Sequence, residues 1–223
     1  MIDQFPKILL LGAPASGKST QFTLLKRHYE DIGHFAVRLF FQNEKKKNSH
    51  WSKIAIPDKK GWLPDKVVAQ AAEEEMIKVK DKGLIVEGFP ASAYQADLFN
   101  EILIKTGINM DALVYIKVPK EISVARAIKR LVCENCDNGV NHVEPISKDK
   151  LICPICLGEL TKRADDDILK FQQRLDIHFE NIEGIINRIN LPKLIIDGTK
   201  SKQEVFDSIQ DFLKNNYKSG QRI

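Results

Sequence analysis

Gly12-Ala13-Pro14-Ala15-Ser16-Gly17-Lys18-Ser19 is the stretch from which the fold can be read. These eight residues fit the phosphate-binding pattern G-x-x-x-x-G-K-[ST], and their flanks supply the setting that the pattern requires. Ile8-Leu9-Leu10-Leu11 before them is a short apolar run that reads as a buried strand. Ser19 to Tyr29 after them reads as a helix, with Phe22, Leu25 and Tyr29 on its inner side. Gly12 and Gly17 let the backbone curl until successive N–H groups point at one anion. The helix N-terminus adds partial positive charge there, and Lys18 reaches the outer phosphates. A glycine-rich turn with a solvated lysine is the competing reading, and the strand–loop–helix context weighs against it. The expectation is a nucleotide site.

Outward from this loop, five runs read as buried parallel strands: Lys7–Leu11, Phe35–Phe41, Leu84–Glu87, Ala112–Val118 and Lys193–Asp197. They are apolar on both faces, as strands covered by helices on each side must be. Helices are expected over Asp65–Lys80, from Pro119 to about Val132, and over Asp166–Ile189, where Leu175, Phe179, Ile182, Ile186 and Ile189 repeat every three to four residues. Ser201-Lys202-Gln203-Glu204 has the form of a capping box opening a last helix. Alternating strands and helices imply a doubly wound α/β fold around a five-stranded parallel sheet.

At 223 residues the chain suits one domain with a modest insert, or two small ones. Its 43% apolar content is enough for a core, and no apolar stretch nears the roughly 20 residues of a membrane span. The first residues carry no signal-like apolar segment, so a cytoplasmic, reducing setting is expected. A net charge of +4 suits a protein handling small polyanions and is too weak to argue for nucleic acid. Lys45-Lys46-Lys47 reads as a solvated loop.

One segment breaks the rhythm. From Cys133 to about Thr161 the chain turns polar and helix-poor, and it holds all four cysteines as Cys133-x2-Cys136-x16-Cys153-x2-Cys156. This spacing fits a structural Zn²⁺ held by two thiolate knuckles, with metal substituting for a core that so short a segment cannot build. Two disulfides and an iron–sulfur centre are the alternatives. His142 lies inside the segment but exceeds the ligand count, and is expected to be a surface or packing residue.

Arg126 and Arg130 precede the segment, four apart on one helix, and Arg163 and Arg174 follow it. Solvated or salt-bridged arginines are the ordinary reading. Bracketing a polar insert beside a phosphate loop, they suit a transferring phosphoryl group, which needs positioning and charge neutralisation. Asp165-Asp166-Asp167 supplies N-terminal helix charge or arginine partners. Glu87 ends an apolar strand where phosphate-loop enzymes place an acid that holds Mg²⁺, an ordinary strand-end acid being the alternative.

In this order the motifs resemble the adenylate kinase family of nucleoside monophosphate kinases in its long-lid, zinc-bearing form, over nearly the whole chain. Gly12-Ala13-Pro14 with Ser16-Gly17-Lys18 and Thr20-Gln21 looks like the family loop, with Ser19 in place of a usual glycine. Glu87-Gly88-Phe89-Pro90 stands where the family has Asp-Gly-Phe-Pro-Arg, and Gln95-Ala96-Asp97 follows. The cysteines match the lid knuckles, and Leu160, Arg163, Asp165, Asp166, Arg174 and Leu175 match the segment that closes the lid. Asp197-Gly198-Thr199-Lys200 resembles the loop near the ATP base.

The resemblance implies a core at 1–130 and 162–223, an acceptor-side insert at about 42–80, and a zinc-binding lid at 131–161. It implies ATP, with Mg²⁺, bound by Gly12, Ala13, Ala15, Ser16, Gly17, Lys18, Ser19, Thr20, Arg126 and Lys200. Lys18, Arg130, Arg163 and Arg174 would act on the phosphates, Arg163 and Arg174 also reaching the acceptor. Glu87 with Thr20 would organise Mg²⁺, and Gln95 would read the acceptor base. The implied reaction is reversible phosphoryl transfer to a nucleoside monophosphate, AMP first, by a monomer with no nucleic-acid or membrane partner. The family's Ser-Thr-Gly-Asp turn and its following arginine have no counterpart in Arg38-Leu39-Phe40-Phe41-Gln42-Asn43-Glu44, and Ala91 stands for a second arginine. A kinase for a different acceptor, or a nucleotide-binding module with little turnover, therefore stay open.

Overall fold

A computed structural model of the chain describes residues 5–29, 31–59, 61–137, 142–147, 149–163 and 167–218. The chain runs β1 (Lys7–Gly12), α1 (Lys18–His28), β2 (Ile32–Ala36), α2 (Val37–Lys46), α3 (His50–Ile54), α4 (Asp65–Lys78), β3 (Gly83–Glu87) and α5 (Ala93–Thr106). It continues through β4 (Ala112–Lys117), α6 (Lys120–Lys129), β5 (Leu131–Val132), α7 (Glu134–Asp137), β6 (Thr161–Lys162), α8 (Ile168–Arg188), β7 (Lys193–Asp197) and α9 (Lys202–Lys218).

The principal sheet has the order β2-β3-β1-β4-β7, and every pairing in it is parallel. Its period-two alternation sorts the core into two layers. Ile8, Leu10, Ile85, Val114 and Ile116 face Leu25 of α1 and Val205, Ile209 and Leu213 of α9. Leu9, Leu11, Leu84, Val86 and Leu113 face Met76, Phe99, Ile182 and Ile185 of α4, α5 and α8. The chain leaves β1 toward β3 and β2 on one side, and β4 and β7 lie on the other. Strand order thus reverses at β1, and open α/β sheets bind ligands beyond the carboxyl ends of the strands at such a point.

The apolar run Phe35–Phe41, expected to be one strand, divides instead. β2 ends at Ala36, paired with Glu87 at the sheet's edge, and α2 begins at Val37. Val37, Phe40 and Phe41 have helical spacing, and they pack on the core with Trp51. Short apolar runs do not separate strand from helix by periodicity, and here the run straddles a junction. Lys45 and Lys46 close α2 with Lys47 at its cap, so this lysine run ends a helix instead of forming a loop. In α8 the inward set is Phe171, Leu175, Ile182 and Ile185, while Phe179 is 38% exposed. The capping box of α9 is formed, with Ser201 N–H donating to Glu204 and Glu204 N–H to Ser201 Oγ.

β5 and β6 pair antiparallel, Leu131 opposite Lys162 and Val132 opposite Thr161, so the chain leaves and re-enters the cysteine segment at one place. Cys133, Cys153 and Leu160 form a small buried cluster of their own with Leu131 and Val143 packed against it. Among the described residues, no helix is long and apolar enough to cross a membrane.

Candidate active site

The loop between β1 and α1 has the shape its glycines dictate. A Cβ on Gly12 would stand 2.5 Å from Ser16 Oγ and 2.8 Å from the Ile116 carbonyl, so only glycine fits. Gly17 caps α1 at φ 105°, left-handed backbone that glycine adopts without strain. Ser16 N–H donates to the Ala13 carbonyl (3.1 Å) and Gln21 N–H to the Gly17 carbonyl (3.0 Å), closing the turn into the helix. Lys18 Nζ arches back to the carbonyls of Gly12 (2.8 Å) and Ala13 (3.0 Å). Burial depresses the Lys18 pKa; Glu87 opposes this, and Arg130 and Arg163 add to it.

Glu87 sits at the carboxyl end of β3, level with the loop because β1 and β3 pair in register, Leu10 opposite Glu87. Its Oε1 accepts from Ser19 Oγ at 3.2 Å, and its Oε2 lies 3.4 Å from His34 Nε2. Burial pushes the Glu87 carboxyl up, but His34 and then Lys18 outweigh it and hold the net pKa below the usual value. Thr20, expected beside Glu87, lines the cavity nearby, while the hydroxyl that contacts the carboxylate belongs to Ser19.

These groups open on one cavity of ≈ 1470 Å³. Gly12, Ala15, Ser16, Gly17, Lys18, Ser19, Thr20, Arg126, Arg130, Arg163, Arg174 and Lys200 all line it. Ala13 does not: its methyl packs with Ala127, Phe171 and Leu175, and only its carbonyl serves the loop. Arg126 donates to the carbonyls of Ser16 (3.4 Å) and Gly198 (2.8 Å), tying the phosphate loop to the turn that carries Lys200. Arg174 stands over the Phe171 ring, 5.6 Å from its centroid. Asp167 caps α8 by accepting from Lys170 N–H (3.1 Å); Asp165 and Asp166 lie outside the described residues.

The opposite wall comes from α2, residues 58–59 and 61–68, and the turn into α5. Gln95 Oε1 accepts from Ala91 N–H (2.8 Å) and its Nε2 donates to Asp65 Oδ1 (2.7 Å), which also accepts from Trp62 Nε1 (3.2 Å). Asp65 therefore fixes the orientation of both the Gln95 amide and the Trp62 indole. Along this wall Arg38 and Lys59 stand with one acid, Asp58, whereas the loop side is far richer in cations. His34, Trp62 and Asp65 were not singled out from sequence. The one available signal for His34 was its position two residues before the end of β2, opposite Ile85 on the face that carries Glu87.

The four cysteines converge away from this cavity. All are free thiols, and their sulfurs lie within 4.8 Å of one another, with Cys133–Cys156 at 3.5 Å and Cys136–Cys153 at 3.6 Å. A tetrahedral Zn²⁺ with ~2.3 Å bonds to sulfur sets its ligands ~3.8 Å apart, so the donor set fits such an ion. The N–H of Cys156, and that of Ile155, bring the Cys153 thiol down to about 7 against the effect of burial. His142 takes no part in the set; Leu131 N–H donates to its Nδ1, and its Nε2 lies 3.0 Å from the Glu144 carboxylate.

Residues 10–191 match the family model described as adenylate kinase. The chain belongs to the adenylate kinase family. An adenylate kinase of Carboxydothermus hydrogenoformans is 32% identical over 216 residues, covering 93% of this chain and 99% of that protein. One from Lachnoclostridium phytofermentans is 31% identical over 208 residues, 91% of this chain and 95% of its own. One from Thermoanaerobacter sp. (strain X514) is 29% identical over 214 residues, 93% and 97% respectively. Membership in the adenylate kinase family carries its reaction class, ATP-dependent phosphoryl transfer between nucleotides.

Proposed function

We propose that this protein reversibly transfers a phosphoryl group from MgATP to a nucleoside monophosphate, AMP first among them, and grips the acceptor phosphate weakly. The observation that carries the reading is the single cavity spanning both walls. At ≈ 1470 Å³ it exceeds the roughly 300–1,000 Å³ of a one-ligand pocket and has room for donor and acceptor together.

Lys18, Arg130, Arg163 and Arg174 place positive charge around the space beside the loop, where charge spreads over the transferring group. Arg126 and Lys200 flank the donor base, and the loop N–H groups of residues 15–20 hold its phosphates. Ser19 Oγ and Glu87 fit Mg²⁺, since Glu87 Oε2 is buried without a hydrogen-bond partner at the rim of the phosphate site. When bound, the ion neutralises phosphate charge. Gln95, fixed by Asp65, faces the acceptor base. Residues 131–161, with Zn²⁺ on Cys133, Cys136, Cys153 and Cys156, act as a lid that excludes water, because a phosphoryl group left open is hydrolysed. Residues 42–80 form the acceptor side, and a reducing compartment keeps the thiols available to the metal.

The acceptor wall, where Asp58 stands among Arg38 and Lys59, carries less positive charge than the loop side, and this favours a second reading, a kinase whose acceptor carries no phosphate. A coupled assay with ATP and each of AMP, CMP, UMP and GMP tests both. ADP formed with AMP at a high KM supports the first. Turnover with nucleosides but with none of the four monophosphates supports the second.

A further inference from the structure

Gln95 lines the cavity although it is only 2% exposed, and both ends of its amide are engaged. Its Oε1 accepts from Ala91 N–H at 2.8 Å, and its Nε2 donates to Asp65 Oδ1 at 2.7 Å. Its backbone is held as well, since its N–H donates to Oγ of Ser92, the cap of α5, at 3.1 Å. These partners admit one orientation of the amide. A backbone N–H only donates and a carboxylate only accepts, so turning the amide over would set Nε2 against Ala91 N–H and Oε1 against Asp65. Buried as Gln95 is, water would make good neither loss. Asp65 also accepts from Trp62 Nε1 at 3.2 Å, and the Trp62 backbone is pinned to Asp58 through its N–H (2.8 Å) and its carbonyl (2.9 Å). Asp65 itself does not line the cavity, so it acts on a ligand only through its neighbours.

The geometry points to Asp65 as a positioning residue that selects the acceptor base. By locking the Gln95 amide it makes the site take a base with an amino group beside an unprotonated ring nitrogen, as in adenine. A base with a carbonyl beside a ring N–H, as in hypoxanthine, is rejected. The locked amide keeps one proton on Nε2 and one lone pair on Oε1 for a ligand. Adenine answers them with a ring-nitrogen lone pair and an exocyclic N–H. Hypoxanthine in the same pose sets a ring N–H against Nε2 and a carbonyl against Oε1, and the amide cannot turn over to meet it. A site built around a fixed hydrogen-bonding group rejects an analogue that leaves the group unpaired by large factors. This rests on the proposed nucleotide reading for the identity of the ligand, and it makes the base, not the phosphate, the part of the acceptor that is discriminated.

The test uses the intact protein, ¹⁵N-labelled and saturated with a non-hydrolysable ATP analogue and Mg²⁺ so that the donor place is filled. AMP and IMP are titrated separately, and binding is read from amide chemical shifts, which follow weak binding without turnover. The two probes differ only at the amino or oxo edge, so a weak phosphate grip affects both alike. AMP is expected to bind at least ~10²-fold more tightly than IMP. Asp65→Asn keeps the volume and supplies an amide that can pair with either orientation of Gln95. The AMP-to-IMP ratio should then fall by about tenfold or more, with binding of the ATP analogue unchanged. Asp65→Ala serves if the asparagine variant does not fold, as judged by thermal melting. IMP bound as tightly as AMP by the unmodified protein overturns the inference. So does a folded variant that keeps the ratio or weakens both probes alike, as a purely structural Asp65 would. Binding of neither probe overturns the nucleotide reading and this inference with it, whereas AMP bound and phosphorylated without preference over IMP overturns this inference alone.

Discussion

Replacing Ala91 with arginine should repair the weak half of the site. Ala91 follows the Glu87-Gly88-Phe89-Pro90 turn and lines the cavity, and its backbone is pinned by the 2.8 Å bond from its N–H to Gln95 Oε1. A longer side chain can therefore extend into the cavity from a fixed base. Charge-assisted hydrogen bonds contribute about 1.5–3 kcal/mol each, and ordering an arginine costs up to about 2 kcal/mol. A bidentate contact to phosphate would then leave a net gain near ~1.4 kcal/mol or above, tenfold or more in affinity. Steady-state kinetics should show KM for AMP falling by about that factor while KM for ATP stays put, because Arg126, Arg130 and Arg163 are untouched. The variant should melt within a few degrees of the unmodified protein. An unchanged KM for AMP in a folded variant would refute the reasoning, and would mean that Arg38 or Lys59 already serves the acceptor phosphate.

Lys18→Ala should reduce phosphoryl transfer by at least ~10²–10³-fold with little change in melting temperature, since its ammonium bonds only loop carbonyls; near-native turnover would remove Lys18 from catalysis. Elemental analysis should find one zinc per chain, and Cys153→Ser should abolish it while the parallel sheet still melts cooperatively; metal-free protein with two disulfides by mass spectrometry would contradict this. Burial, with Lys18 nearby, lowers the His178 pKa from 6.5 to about 4, so the folded state keeps the ring neutral where the unfolded chain is protonated. Stability should then be full above pH ~6.5 and decline as pH falls toward about 4, by up to ~3 kcal/mol. His178→Phe should flatten that slope in denaturant titrations at pH 7 and pH 4.5, and an equally steep loss in the variant would refute the assignment.

Most of the phosphate-loop side of the cavity was legible because its pattern is local in sequence. The phosphate loop, the strand before it and the helix after it are contiguous, and the cysteine knuckles carry their own spacing. The capping box likewise needs only Ser201 and Glu204. What sequence misjudged was a junction: Phe35–Phe41 is apolar throughout, and the change from strand to helix at Val37 depends on where the neighbouring β3 ends. What it missed were contacts made by pairing and packing. His34 meets Glu87 only because β2 and β3 lie side by side, 53 residues apart in sequence. Asp65 reaches Gln95 because α4 packs against α5, a pairing no local pattern encodes. Ser19 replaced Thr20 at Glu87 for a similar reason, since which hydroxyl faces the strand depends on the rotation of α1 against the sheet.

Calorimetry on the unmodified protein tests most directly the asymmetry between a cation-rich loop wall and an acceptor wall poorer in cations. A non-hydrolysable ATP analogue with Mg²⁺ and AMP are titrated separately. The analogue should bind with AMP weaker by about 100-fold, the cost of two absent charge-assisted contacts at ~1.5 kcal/mol each. AMP binding as tight as the analogue, or no binding of the analogue at all, would contradict the account.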